Sequence, residues 1–385
     1  YRLFWLAPLQ EGGEVTPSKS KSVSTEILGS SDFIFKNQFV EVKINPETGD
    51  IASIYDSRSE RLRQRLNHRQ SLASTGANQL QAFQDGGQYW DAWNIDPKYA
   101  QKQLSPSQLK SIQWIENGAI RQRLRIVREL AGCEFTQDYI LDAHSSIVRI
   151  ETSVDWQAEH ILIKANFPLN LTADISTAET ACGAIDRPTI PATAAEKAKW
   201  ELPLHRWVDL TDSSGEYGVS LLNDCKYGFD AGTDYLRLTL LRSSKSPDPT
   251  ADRGYHEFTY AIYPHSGTWQ AAQTVRKGLE LNSPLQVLQL APMTKTGANR
   301  DLAPIGSLID LQAENLVLMA FKPSDTLARS WVLRCYECHG MEAKIELTGL
   351  DLQIDRVVNL LEDIQSEAVD SMINPWQIRS FGVWG

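Results

Sequence analysis

The chain has 385 residues, more than one ordinary domain, and predicts two or three. Apolar residues make up 42% and charged residues 22%, the balance of a globular protein. The net charge is −10, with no basic stripe and no apolar run of membrane-spanning length, which argues against nucleic acid or a membrane as partner.

The chain opens at Tyr1 rather than Met, with no signal peptide, and reads as cut from something longer. Tyr1–Leu9 suggests a single strand and EGGEVTPSKSKSVSTE (11–26) a loop. Residues 1–30 are therefore read as a terminal strand and linker from a preceding β domain. FVEVKI (39–44), NPETGD and IASIYD (51–56) alternate around a Pro/Gly turn and predict a β-hairpin. RSERLRQRL (58–66) predicts a surface helix.

QYWDAWNIDP (88–97) then packs a tyrosine, two tryptophans and two aspartates into ten positions. Rings beside carboxylates suit a sugar, the rings covering its C–H faces and the carboxylates accepting its hydroxyls. A retaining glycosidase needs two carboxyl groups about 5–5.5 Å apart. Sequence alone does not fix the spacing of Asp91 and Asp96. Core packing is an equal reading for Trp90 and Trp93.

Period-2 alternation dominates the long middle of the chain: IRQRLRIVREL (120–130), FTQDYILD (135–142), SIVRIETSVDW (146–156), ILIKANFPL (161–169), YGVSLLN (217–223), YLRLTLLR (235–242) and HEFTYAIYP (256–264). These predict large antiparallel sheets packed face to face over 31–282. TWQAAQTVRKGLEL (268–281) has helical spacing and is ended by Asn-Ser-Pro. PMTKTGANRDLAPIGSL (292–308) reads as a linker or long loop. NLVLMAFKP (315–323), SWVLRCYECHG (330–340), AKIELTG (343–349), VVNLLED (357–363) and WQIRSFGV (376–383) predict a smaller β-sandwich over 283–385.

Two motifs mislead. CYECH (335–339) matches the C-x-x-C-H haem pattern, but it lies within an alternating strand and lacks an export signal. Cys335, Cys338 and His339 are too few for a zinc site. HEFTY (256–260) has Tyr260 where a second histidine belongs. No nucleotide-binding or serine-hydrolase signature occurs. An odd count of five cysteines fits a reducing, cytoplasmic compartment better than a disulfide framework.

Polar and aromatic residues concentrate in QDGGQYWDAWNIDPKY (84–99), GAIDRPT (183–189) with AKWELPLHRWVDLTD (198–212), YGVSLLNDCKYGFD (217–230) and LLRSSKSPDPTADRGYHEFTYAIYPHSG (240–267). Arg187, Arg242 and Arg253 can fork onto vicinal hydroxyls or a carboxylate. Asn223, Asp224, Asp252 and His256 add polar groups. A structural salt-bridge or turn network is an equal reading for Asp91, Arg187 and Asp252.

Together these stretches resemble, in order, the C-terminal half of the glycoside hydrolase family 38 α-mannosidases of the cytosolic or bacterial type. NLVLMAFKPSD, LRCYE and PWQIRSFGV resemble the small terminal β-sandwich of the same enzymes. The resemblance implies an all-β chain: a large antiparallel β-supersandwich of the galactose mutarotase type, then a small β-sandwich. It implies a parent that hydrolyses terminal α-D-mannosides with retention. The nucleophilic aspartate and a divalent metal such as zinc would lie in an N-terminal catalytic domain, since no motif here resembles those parts. This chain would then bind no cofactor of its own. Its partners would be that domain and an α-mannoside or oligosaccharide. Tyr89, with its neighbours Trp90 and Asp91, and Arg242 fall at positions that the resemblance turns toward the substrate cleft. With Arg187 and Asp252 they form the candidate substrate-binding set. A stand-alone carbohydrate-binding module is the alternative. A mutarotase-type isomerase is weakened because His256 and Glu257 point to opposite faces of a strand.

Overall fold

The computed structural model describes residues 33–57, 76–87, 90–286, 309–326, 329–349, 352–366 and 368–384. The readings for Tyr1–Leu9, the 58–66 helix, Tyr89 and the 292–308 loop lie outside these residues. The chain divides into two compact units, with described residues 33–284 in one and 309–384 in the other.

The larger unit is almost entirely β. Its nine-stranded sheet runs in the order Gly183–Pro188, Ile175–Thr180, Trp207–Thr211, Tyr217–Asn223, Gly254–Ser266, Val148–Trp156, Cys133–Asp142, Arg121–Leu130, Gln108–Asn117. A five-stranded sheet runs Leu202–Pro203, Gly228–Gly232, Tyr235–Arg242, Ile161–Pro168, Gln79–Gln84. The predicted hairpin is present as Val40–Ile44 paired antiparallel with Ile51–Asp56, and Phe33–Lys36 joins it as a third strand. These sheets are antiparallel throughout, so each strand can turn one face to the core and the other outward.

That alternation builds the core. Leu124, Ile126, Phe135 and Val154 of the nine-stranded sheet meet Ala165, Phe167, Phe229 and Leu238 of the five-stranded sheet, with Val42 and Ile54 of the small sheet in the same cluster. Fully burying such a side chain contributes roughly 1.5–3 kcal/mol. One polar network crosses this core. The guanidinium of Arg128, fully buried, donates to Asp50 (2.5 Å), Gln137 (2.6 Å) and the Tyr139 hydroxyl (2.7 Å). Both terminal nitrogens of the buried charge have acceptors, while its Nε has none among the described residues.

Two sequence readings change at their ends. The helix read over 268–281 is regular only over Thr274–Asn282, because Gln273 takes a left-handed φ of 57° that breaks the chain direction before it. The strand read over 330–340 stops at Glu337. There the buried carboxylate turns to accept from the backbone N–H of His339, Gly340 and Trp376, which fixes a turn.

The smaller unit has a four-stranded sheet in the order Leu316–Pro323, Trp331–Glu337, Ile378–Trp384, Gln353–Val358. Its separate core holds Leu333, Cys335, Phe381 and Val383. Cys335 and Cys338 are both buried, so CYECH is a piece of this sandwich and its end turn. Burial pushes the Cys335 thiol up to about 12, far from a reactive thiolate. The strand read over 357–363 ends at Val358, where Asn359 accepts from the backbone N–H of Leu361 and Asp363 and closes a turn. AKIELTG is likewise two short strands, Ala343–Lys344 and Thr348–Gly349.

Candidate functional site

The five-stranded sheet sets the site. Alternation sends Ile163, Ala165, Leu236 and Leu238 into the core, so Lys164, Asn166, Arg237 and Thr239 occupy the opposite face. On that face Lys164 is fully buried, and its ammonium donates to Glu201 (2.5 Å) and Asp230 (2.7 Å). Arg237 forks onto Asp230 at 2.9 and 2.6 Å. The Thr239 hydroxyl donates to Glu201. Gly228 leaves room for this carboxylate, since a Cβ would sit 2.7 Å from a Glu201 oxygen.

Burial opposes the charge on Lys164, yet its two carboxylates outweigh burial and raise its pKa. Burial also opposes ionised Asp230, but Lys164 and Arg237 together hold it below the usual carboxylate value. Glu201 shares Lys164 with Asp230 and lacks the arginine, so burial prevails and its pKa rises. The Tyr99 hydroxyl approaches Asp230 at 3.4 Å, and burial pushes its pKa up to about 12.

The aromatic stretch lies against this sheet. After the strand Gln79–Gln84 the chain runs out and returns to pack Tyr99 on Phe83 and Leu162, with Ile95 and Trp200 beside them. Four anchors fix the segment. The buried Asp85 carboxylate accepts from the backbone N–H of Asp96 (3.0 Å) and pairs with the Arg242 guanidinium. Arg242 also donates to the Asn94 carbonyl (2.6 Å). The Asp91 carboxylate accepts from the backbone N–H groups of Lys245 (2.7 Å) and Ser246 (3.0 Å). Asp96 accepts from Lys102 (2.5 Å) and from the Lys98 backbone (2.9 Å), which hold its pKa below the usual range. Gly87, at a φ of 62°, passes so close to Asp91 that a Cβ there would collide with its carboxylate.

The result is an anchored loop that displays two bare rings. Trp90, in a left-handed conformation at φ 61°, is 79% exposed, and Trp93 is 73% exposed. Neither is core. The Asp91 oxygen that does not bind the backbone faces Nδ1 of His160 at 3.8 Å, and neither atom has a hydrogen-bond partner among the described residues.

Of the candidate substrate-binding residues, the structure brings Trp90, Asp91 and Arg242 into this one loop cluster. Tyr89 lies outside the described residues. Asp252 sits in a turn at φ 60°, where its carbonyl lies 2.8 Å from Nε2 of His256. Arg187 belongs to the nine-stranded sheet, with its guanidinium 5.9 Å from the Phe229 ring. Sequence reading missed Asp85, His160, Lys164, Glu201, Asp230 and Arg237. The polar half of the alternation in ILIKANFP and YLRLTLLR was the available signal.

Among the described residues, no three His, Cys, Asp or Glu side chains converge as a group that could hold a metal ion. Among them, no helix is long and apolar enough to cross a membrane.

Residues 35–250 match the Glycosyl hydrolases family 38 C-terminal domain, and residues 315–381 match that family's C-terminal beta sandwich domain. The chain is 32% identical over 319 residues to mouse Alpha-mannosidase 2C1, covering 79% of this chain and 30% of that protein. It is 34% identical over 428 residues to the Saccharomyces cerevisiae Alpha-mannosidase, covering 99% of this chain and 37% of that protein. It thus spans about a third of the length of these relatives. In structure it superposes on an alpha-mannosidase from Enterococcus faecalis V583 with a TM-score of 0.74 at 15% identity, over 91% of this chain and 42% of that one. Both family segments occur here in order on an all-β fold, and the chain belongs to glycosyl hydrolase family 38, whose C-terminal domains it comprises.

Proposed function

We propose that this chain is the non-catalytic C-terminal β region of a retaining α-mannosidase. It forms part of the wall of the sugar pocket and packs on an N-terminal catalytic domain. The observation that carries this reading is the anchored loop. It presents Trp90 and Trp93 to solvent while each carboxylate around them has at least one oxygen engaged, and the other Asp91 oxygen is shielded from solvent beside His160. Asp91 accepts two backbone amides, Asp96 accepts Lys102, and Asp85 accepts Arg242. A nucleophile or general acid needs a carboxyl group free to meet the sugar. These carboxylates position rings instead, and exposed tryptophan rings suit the C–H faces of a mannoside.

In this reading the chemistry, with the divalent metal, belongs to the catalytic domain. The ligand is a terminal α-mannoside of an oligosaccharide. The setting is the cytoplasm, in keeping with five free cysteines. The test is hydrolysis of a chromogenic α-mannoside by this purified chain with zinc or cobalt added. The expected result is no turnover above buffer. Metal-dependent turnover would overturn the reading and return Asp91 and Asp96 to candidacy as catalytic groups.

A further inference from the structure

The outer face of the nine-stranded sheet carries a polar cleft of about 560 Å³, a volume in the range of small-ligand sites. It lies across Arg121–Leu130, Cys133–Asp142, Val148–Trp156 and Gly254–Ser266. Leu124, Ile126, Phe135, Val154 and Phe258 of these strands turn into the core, so the residues between them share the opposite face. Register sets those residues in rows across the four strands. Arg125, Asp138, Glu151 and Thr259 form one row, and Thr136, Ser153 and Glu257 lie in the next. No residue of this cleft belongs to the tryptophan loop.

The floor of the cleft is organised by one buried carboxylate. Asp138 accepts from Nε and Nη2 of Arg123 at 2.8 and 2.5 Å, and from Nε and Nη2 of Arg125 at 2.8 and 2.9 Å. Two guanidiniums are thus oriented before a ligand arrives, which lowers the ordering cost of binding. Neither Nη1 is used in these bonds. Beside them, the half-buried hydroxyls of Thr136, Ser153 and Thr259 can donate or accept. The Tyr255 hydroxyl donates to Glu257 at 2.9 Å, while Tyr255 itself is 68% exposed.

This chemistry narrows the ligand. The cleft sets two guanidiniums against the carboxylates of Asp138, Glu151 and Glu257, so its charge does not favour an anion. Phe258, the other ring in its lining, is buried, so no apolar pocket opens there for a peptide side chain. A neutral ring bearing several hydroxyls meets every group: it donates to Glu151 and Glu257, accepts from the arginines and lays a C–H face on Tyr255. We propose that this cleft binds a neutral saccharide at a site separate from the tryptophan loop. The inference stands independently of the proposed function, because it needs neither that loop nor a catalytic domain.

The test is a ligand-observed NMR titration of this purified chain with an α-linked mannobiose, with maltose and with inorganic phosphate. At least one disaccharide is expected to bind more tightly than phosphate. Glu257→Gln and Arg125→Gln should each weaken that binding by about 10-fold, as for a lost hydrogen bond to a charged group. Tyr255→Ala should weaken it by roughly 2–10-fold, as for a lost ring contact. Arg125→Gln also removes a partner of Asp138, so its fold is checked by circular dichroism. Glu257 and Tyr255 are exposed, and their variants keep the test decisive if Arg125→Gln unfolds. Binding of neither disaccharide overturns the proposal, and so does binding that all three substitutions leave unchanged. Phosphate bound more tightly than either disaccharide, and lost in Arg125→Gln, identifies an anion site and overturns it. Saccharide binding lost in Trp90→Ala but retained in Tyr255→Ala belongs to the tryptophan loop, which overturns this proposal and leaves the proposed function standing.

Discussion

Lys164 shows how a single side chain can decide the integrity of the site. Its ammonium is fully buried and serves both Glu201 and Asp230. Lys164→Met keeps the volume and removes the charge, leaving two carboxylates with one arginine between them. Breaking a buried ion pair in this way costs about 3–5 kcal/mol, which denaturant unfolding would read. Asp230 adds a pH signature. Its folded pKa lies below its unfolded one, so its contribution is fully present above the ordinary value of about 3.9 and is lost as pH falls through the lower folded value. Asp230→Asn should therefore lower Tm at neutral pH, and its gap from the wild type should narrow on acidification, as measured by thermal melts across pH. Some of this was legible in sequence and some was not. QYWDAWNIDP stood out by its composition, and its two tryptophans are exposed. The roles of Asp91 and Asp96 were not legible, because their acceptor bonds run to backbone N–H groups at Lys245, Ser246 and Lys98, and any sequence supplies such groups.

Elements were read well where burial is one-sided. Val148–Trp156 and Tyr235–Arg242 alternate because one face meets the core and the other does not. Gln108–Asn117 was missed, since its residues are exposed or half-buried throughout and its pattern carries little contrast. The helix Thr274–Asn282 was placed but begun too early, because the break at Gln273 is a backbone conformation and leaves no mark on hydrophobic spacing. This helix covers a buried cluster in which Asp209 accepts from the Ser220 hydroxyl at 2.7 Å and lies 2.7 Å from His265 Nε2. It approaches closely through Gly278, where a Cβ would lie 3.2 Å from the Trp207 ring and 3.3 Å from Arg206. Gly278→Leu is expected to push the helix outward at a cost of about 1–3 kcal/mol, seen as a lower denaturation midpoint. Gly278→Ala should show a smaller effect in the same measurement.

At the scale of the whole molecule, separate hydrophobic cores serve the two β units, and the family match spans both. The all-β architecture was legible because alternation repeats over so many segments. The functional assignment came from long motifs falling in order, and the geometry adds how those motifs are used. Their carboxylates hold a loop in place, and the loop holds two rings in solvent. The central claim is that these rings meet the sugar while the chemistry happens elsewhere. The most direct measurement is kcat/KM for an α-mannoside by the longer polypeptide with Trp90→Ala and Trp93→Ala. A stacked ring contributes about 0.5–1.5 kcal/mol, so each variant should lose roughly 2–10-fold in kcat/KM with its metal content unchanged. Wild-type kcat/KM in both variants, with folding intact, would contradict the account.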